Sequence, residues 1–204
     1  MFGPDMIFGI PGLLTAMTIH EYAHARVAVA MGDFTPRLAG RLTLNPVAHI
    51  DPIGLLMLFF AQFGWAKPVM INPRNFKEWR KGELLVSLAG PAANLLMALT
   101  GTLLLGACWK MGIAEQWIYK VLQLVIIYNI NFAVFNMIPL PPLDGSKVLM
   151  SFLPGEWAYK LAGLERYSFL ILIILVFSNA LGAIIYPMQR LLLNIMSVIV
   201  SFIF

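Results

Sequence analysis

The 204-residue sequence has a single cysteine, Cys108. No intrachain disulfide and no cysteine-based metal site can form. Charge is scarce as well. Only 12% of residues are Asp, Glu, Lys or Arg, while 60% are hydrophobic, and mean hydropathy is +0.81. An ordinary soluble domain carries roughly a quarter of its residues as charges, so a large soluble domain is excluded. No basic stretch is interleaved with aromatics as a nucleic-acid groove requires, so no nucleic-acid partner is expected. The net charge of +4 reads instead as topology signalling by Lys and Arg. The N-terminus lacks the basic region of a cleavable signal, and the first apolar run is read as a retained span.

What is present is a set of long apolar runs. The expected fold is an α-helical polytopic membrane protein with about five to six transmembrane or partial segments. The chain reads as one membrane-embedded domain, 1–204, with a core at 1–150 and accessory C-terminal segments at 151–204. The first span runs from Met1 to about Met31 and ends at Gly32-Asp33. Residues 53–66 are apolar but too few to cross a core of about 30 Å fully, so they either form a short span or enter and return. On either side, Arg41-Leu42-Thr43-Leu44 and Lys67 to Pro73 read as short strands, which predicts a small membrane-associated β-structure before the next span. That span, Leu84 to Trp109, contains Gly90-Pro91-Ala92-Ala93-Asn94. Another runs from Trp117 to Ile138, then a polar connection at 146–167, then Ser168 to Tyr186. Pro187 is expected to end that last span and leave a partial one at 191–204.

Inside the first span lies His20-Glu21-Tyr22-Ala23-His24, an HExxH motif. A helix places residues i and i+4 on one face, so both imidazoles can reach one metal ion, and Glu21 can poise a water on it. Ionisable groups at membrane depth are costly and functional by default. No further His or Glu occurs from Arg26 to Gly32, so a third ligand must come from elsewhere. Asp144, an acid after Pro139-Leu140-Pro141-Pro142-Leu143, is a candidate. The same Asp can equally cap a helix starting at Ser146, and the pattern leaves both readings open. Asn129 and Asn131 are most simply interhelical hydrogen bonds.

These pieces resemble the site-2 protease family of intramembrane zinc metalloproteases. The resemblance rests on His20 to His24, on Gly40-Arg41-Leu42-Thr43-Leu44-Asn45-Pro46 with His49-Ile50-Asp51-Pro52, on Gly90 to Asn94, and on Asn136 through Asp144-Gly145. They fall in the family's order over residues 16–148, and the chain looks like the short prokaryotic branch without PDZ or CBS domains. The resemblance implies one Zn2+ per chain on His20, His24 and Asp144. It implies Glu21 as general base and Asn136 as oxyanion stabiliser. It places His49 in or near the site, and Asn94 as a packing or substrate-pinning residue.

The implied substrate is a single-span membrane protein, unwound near its cytoplasmic end and held against a strand edge. The implied setting is the lipid bilayer of a prokaryotic cell, and a homo-oligomer is left open. If 53–66 does not cross, ten Lys and Arg residues share the side of 32–82 and 139–167 against three opposite, which turns the site toward the cytoplasm. Two other readings remain: a metal or ion carrier using the His/Asp set, and a catalytically silent membrane chaperone. Carriers usually repeat internally and no motif here occurs twice; an intact Glu21 argues against the silent relative.

Overall fold

The computed structural model describes residues 4–61, 64–178 and 180–204. Residues 1–3 of the expected first span, 62–63 of the short apolar segment and Asn179 lie outside the described residues. The helices in chain order are α1 (Ile10–Met31), α2 (Thr35–Leu38), α3 (Pro52–Ala61), α4 (Trp79–Lys110), α5 (Gln116–Asn136), α6 (Asp144–Phe152), α7 (Gly155–Ala162), α8 (Ser168–Phe177) and α9 (Ala180–Ser201). A 3-10 turn, Pro4–Gly9, leads into α1.

The centre is a three-helix cluster in which α1, α4 and α5 pack against one another. Helix α9 adds to α4 and α5 around a buried patch of Ala98, Ile126, Ile130, Val134 and Met196. Helix α6 packs on α4, and Ile138, Leu143 and Leu172 join the loop before α6 to α8. Helices α4, α5 and α9 are each long and apolar enough to cross a membrane. Their outward side chains, such as Leu96, Leu104 and Val198, are exposed, as a lipid-facing surface requires. At 22 residues α1 rises roughly 33 Å, but its inner face buries His20, Glu21 and His24. It ends where expected. Gly32 takes φ 110°, a left-handed cap that favours glycine, and its N–H bonds back to Val29.

The short apolar segment returns on itself. Ile50 and Ala66 form an antiparallel bridge, and the Lys67 N–H donates to the His49 carbonyl. The two ends of the segment containing α3 are therefore neighbours, as a segment that returns requires. The Arg41 guanidinium closes the neck by donating to the carbonyls of Ala48 and Lys67.

Three expectations need correction. The small β-structure is absent among the described residues, where the Ile50–Ala66 bridge is isolated. The backbone at 67–72 has no regular structure, and side chains take the groups that a ladder would use. Val69 N–H donates to Glu21, Asn72 N–H donates to Asp33, and Pro68 and Pro73 have no N–H to offer. Pro187 does not end a helix: it lies inside α9, and the interruption falls between Phe177 and Ala180. A proline in a membrane helix is tolerated where neighbours re-satisfy the freed carbonyl. The stretch expected as a polar connection, 146–167, is largely helical, with α6, α7 and a 3-10 turn at Gly163–Tyr167.

Candidate metal centre

Three elements from distant parts of the chain meet at one point. His20 and His24 come from one face of α1, one turn apart. Asp144 opens α6. Their ligand atoms converge: His20 Nε2 lies 2.9 Å from His24 Nε2, and Asp144 Oδ2 lies 3.2 and 3.1 Å from them. All three side chains are buried.

The hydrogen bonds on the far side of each ring fix what these atoms are. His24 Nδ1 is 2.7 Å from the Val86 carbonyl of α4, which can only accept, so the proton sits on Nδ1. Asn94 donates through Nδ2 to the Ala16 carbonyl and to Asn129 Oδ1. That orientation leaves Asn94 Oδ1 to accept from His20 Nδ1 at 2.7 Å. Asn129 is oriented in turn by donating to the Val125 carbonyl. Backbone carbonyls thus set the polarity of the whole chain of bonds. Both Nε2 atoms are left as bare lone pairs facing each other and a carboxylate oxygen that accepts no hydrogen bond.

Three lone pairs held this close repel unless a cation lies among them. Metal bonds of about 2.0–2.1 Å at tetrahedral angles would place neighbouring donors roughly 3.3 Å apart, close to what is found. The donor set, two imidazoles and one carboxylate, suits zinc, and the bonds behind the rings are those that metal-bound histidines make. Among the described residues this trio forms a group able to hold a metal ion. The capping reading of Asp144 has no hydrogen bond behind it, because α6 lacks a side-chain cap.

Gly90 explains how α4 comes so near. A Cβ there would lie 2.5 Å from His20 Cε1 and 2.6 Å from His24 Nε2. Only a residue without a side chain lets the helix lie against both rings. On another side, Phe132 of α5 meets the His20 ring edge to face at 5.0 Å.

Glu21, His24 and Asp144 share a cavity of about 380 Å³ with Asn136, Lys147, Phe135 and Leu172. Glu21 is buried, and its Oε2 accepts the Val69 N–H at 2.9 Å. Asn136 lines the same cavity while its Nδ2 donates to Phe132 of its own helix. His49 lies apart from the metal group. It is fully buried in the loop layer, 2.8 Å from the Thr43 carbonyl. Asn94 stands behind His20 rather than in the cavity.

Several contributors were not legible in the sequence. The Val86 carbonyl carries no residue signature at all. Val69 acts through its backbone. Asp33 is fully buried and accepts from Thr35 N–H and Oγ1, Asn75 Nδ2 and Asn72 N–H. Burial pushes its carboxyl up, but those donors more than offset it and hold it below the ordinary carboxylate range. Its one sequence signal is the Asp33-Phe34-Thr35 spacing of an Asx turn.

Apolar membrane-length helices around a buried two-histidine, one-carboxylate centre, with a glutamate beside it, define the class: a membrane zinc metalloprotease. The chain belongs to Peptidase family M50, the site-2 proteases. The model of that family matches residues 109–180, the part that carries Asp144. The chain is 38% identical to the Bacillus subtilis protein named "Putative zinc metalloprotease YwhC", over 86% of this chain and 83% of that protein. It is 33% identical to the Mycolicibacterium smegmatis protein named "Putative zinc metalloprotease Rip2", over 86% and 69%. It is 30% identical to the Mycobacterium tuberculosis protein of the same name, over 85% and 68%. No solved structure matches the chain.

Proposed function

We propose that this chain is a single membrane-embedded protease domain that hydrolyses peptide bonds in or near the transmembrane segment of single-span membrane proteins. The observation that carries the reading is the convergence of His20, His24 and Asp144, with Glu21, His24 and Asp144 lining one cavity. His20, His24 and Asp144 would hold the zinc. When bound, zinc supplies Lewis acidity, polarising a carbonyl and making a water acidic at neutral pH.

Glu21 takes the proton of the attacking water and hands it to the leaving amine. The Val69 N–H holds one carboxylate oxygen and leaves the other for that task. Asn136, at the cavity wall, has one amide hydrogen still free to donate to a developing oxyanion. The Val86 carbonyl, Asn94 and Asn129 orient the ligands.

A transmembrane helix hides its carbonyls in its own hydrogen bonds, so it must unwind locally before it is cut. The irregular stretch 67–72 supports a place for the unwound chain. Pro68, Val69 and Ile71 line the cavity, and the backbone groups of Met70 and Ile71 make no hydrogen bond among the described residues. A peptide can lie along them by strand addition even without a preformed sheet. With the ends of the segment around α3 on one side, and Arg190 inside α9, ten Lys and Arg residues face two, Lys110 and Lys120, and this excess supports a site that opens toward the cytoplasm of a prokaryotic cell.

Glu21→Gln is the test. Purified protein carrying it keeps its zinc, by metal analysis, and loses cleavage of a single-span reporter. Cleavage that persists would remove Glu21 as the base and the proposal with it. A carrier would instead move zinc across vesicles and cut nothing.

A further inference from the structure

Lys147 is the charged side chain of the cavity that the proposed chemistry does not use. It lines the cavity with Glu21, His24, Asn136 and Asp144. It lies three residues after Asp144 on α6, and so on the same face of that helix. The side chain is half-buried, and its ammonium makes no hydrogen bond or salt bridge among the described residues. Glu83 of α4 feels its charge through space without forming an ion pair.

The walls around it are otherwise apolar, among them Val69, Val86, Phe135 and Leu172. A cation half removed from water costs free energy unless an anion meets it. The resident anions are engaged elsewhere. Asp144 faces the two histidines, and Glu21 faces the Val69 N–H. Charge balance points the same way. Two neutral imidazoles and a carboxylate leave a divalent metal with one positive charge over. Glu21 cancels it, and Lys147 then has no counter-charge within the cavity lining, Glu83 of α4 lying outside it. An incoming peptide with a carboxylate at the right place would supply the missing partner through a charge-assisted hydrogen bond.

We propose that Lys147 selects substrates by receiving an Asp or Glu side chain within a few residues of the bond to be cut. This rests on the reading of the cavity as a peptide-cleaving site. The competing role for Lys147 is a through-space counter-charge for Glu83, which would concern the fold and not the peptide. The two differ in what they predict for substrate ratios.

The experiment uses the detergent-purified, zinc-loaded full chain and a set of single-span reporter peptides. Each position from four before to four after the cut is in turn Asp, Asn or Lys, and kcat/KM is measured for every member. Wild type is expected to prefer Asp over Asn by about tenfold or more at one position, the discrimination expected when a buried polar group loses its partner. Lys147→Met removes that preference with zinc content retained. Lys147→Arg keeps it, and Lys147→Glu inverts it in favour of Lys at the same position. A wild type with no acidic preference anywhere overturns the proposal. So does a preference that survives in Lys147→Met, or a loss in that variant that lowers every substrate alike. If wild type cuts no reporter and matches Glu21→Gln, the protease reading itself has failed and takes this one with it.

Discussion

The cavity has two walls built on opposite principles. The helical wall, from α1, α4 and α5, buries a closed series of polar bonds. Each one ends on a backbone carbonyl, at Val86, Ala16 or Val125, so the donors and acceptors have a single arrangement. The loop wall, residues 33–77, is held by side chains reaching to backbone. Arg41 grips Ala48 and Lys67, Asp33 grips Asn72, and Glu21 grips Val69. Each wall leaves buried side-chain atoms without a hydrogen bond, Thr18 Oγ1 and Asn131 Oδ1 on the helices and Arg41 Nε and His49 Nδ1 in the loops; the loop wall also leaves the backbone groups of Met70 and Ile71 unpaired among the described residues. Bonds with one arrangement suit a metal, whose ligands must not move. Unused backbone groups suit a peptide, which must arrive, bind and leave. On the proposed function, the helical wall would serve coordination and the loop wall recognition.

The largest effect expected from this division is at Gly90. Gly90→Ala puts a methyl against both histidine rings, which are held from behind by Asn94 and Val86 and cannot retreat. Zinc content should fall to near that of His20→Ala, and cleavage with it. Full zinc in Gly90→Ala would show that α4 can back away, and that the helical wall is softer than its bonds imply. A smaller loss is expected from Asn94→Ala. His20 keeps its lone pair but loses the partner that orients it, and such partners are worth about 10- to 100-fold in metal affinity. Competition with a chelator measures it. The drop should appear in zinc affinity first, with cleavage restored by excess zinc.

The two walls also differ in how far the sequence revealed them. The existence of α1, α4 and α5 followed from apolar runs and the Gly32-Asp33 stop from a cap residue, while α1 begins at Ile10 rather than Met1 and α4 at Trp79 rather than Leu84. The histidine pair followed from helical periodicity, because i and i+4 are neighbours whatever the tertiary context. Asp144 was legible as a candidate, and its meeting with the histidines needed the fold. The loop wall was read as strands because Arg41 to Leu44 alternates and 67–73 is flanked by prolines. Alternation predicts which way side chains point, and says nothing of which backbone groups a distant Asp33 or Glu21 will claim. Pro187 was misplaced for a related reason. The rule that proline ends a helix assumes water competes for the freed carbonyl, and in an apolar setting leaving the helix costs more than keeping the kinked one. The return of the 53–66 segment rests on one bridge between Ile50 and Ala66, a long-range pairing with no local signal.

The smallest effect isolates the loop wall, and it has a pH signature. Asp33 is the anchor at the far end of the 67–72 stretch, and its carboxyl is held below the ordinary carboxylate range by Thr35, Asn72 and Asn75. A carboxylate with a lowered folded-state pKa contributes stability above its unfolded value, about 4, and that contribution is lost as pH falls through the folded value. Hydrogen exchange at residues 69–77 should therefore quicken as pH drops below about 4, after correction for the intrinsic pH dependence of exchange. The α4–α5 amides should stay protected at the same pH. Asp33→Ala should reproduce the loosening at pH 7, because it leaves buried donors without an acceptor at roughly 1–3 kcal/mol each. Its zinc content should match wild type, while cleavage falls several-fold through a raised KM. If zinc is lost together with the loop's protection, the two walls are one cooperative unit, and the separation of coordination from recognition does not hold.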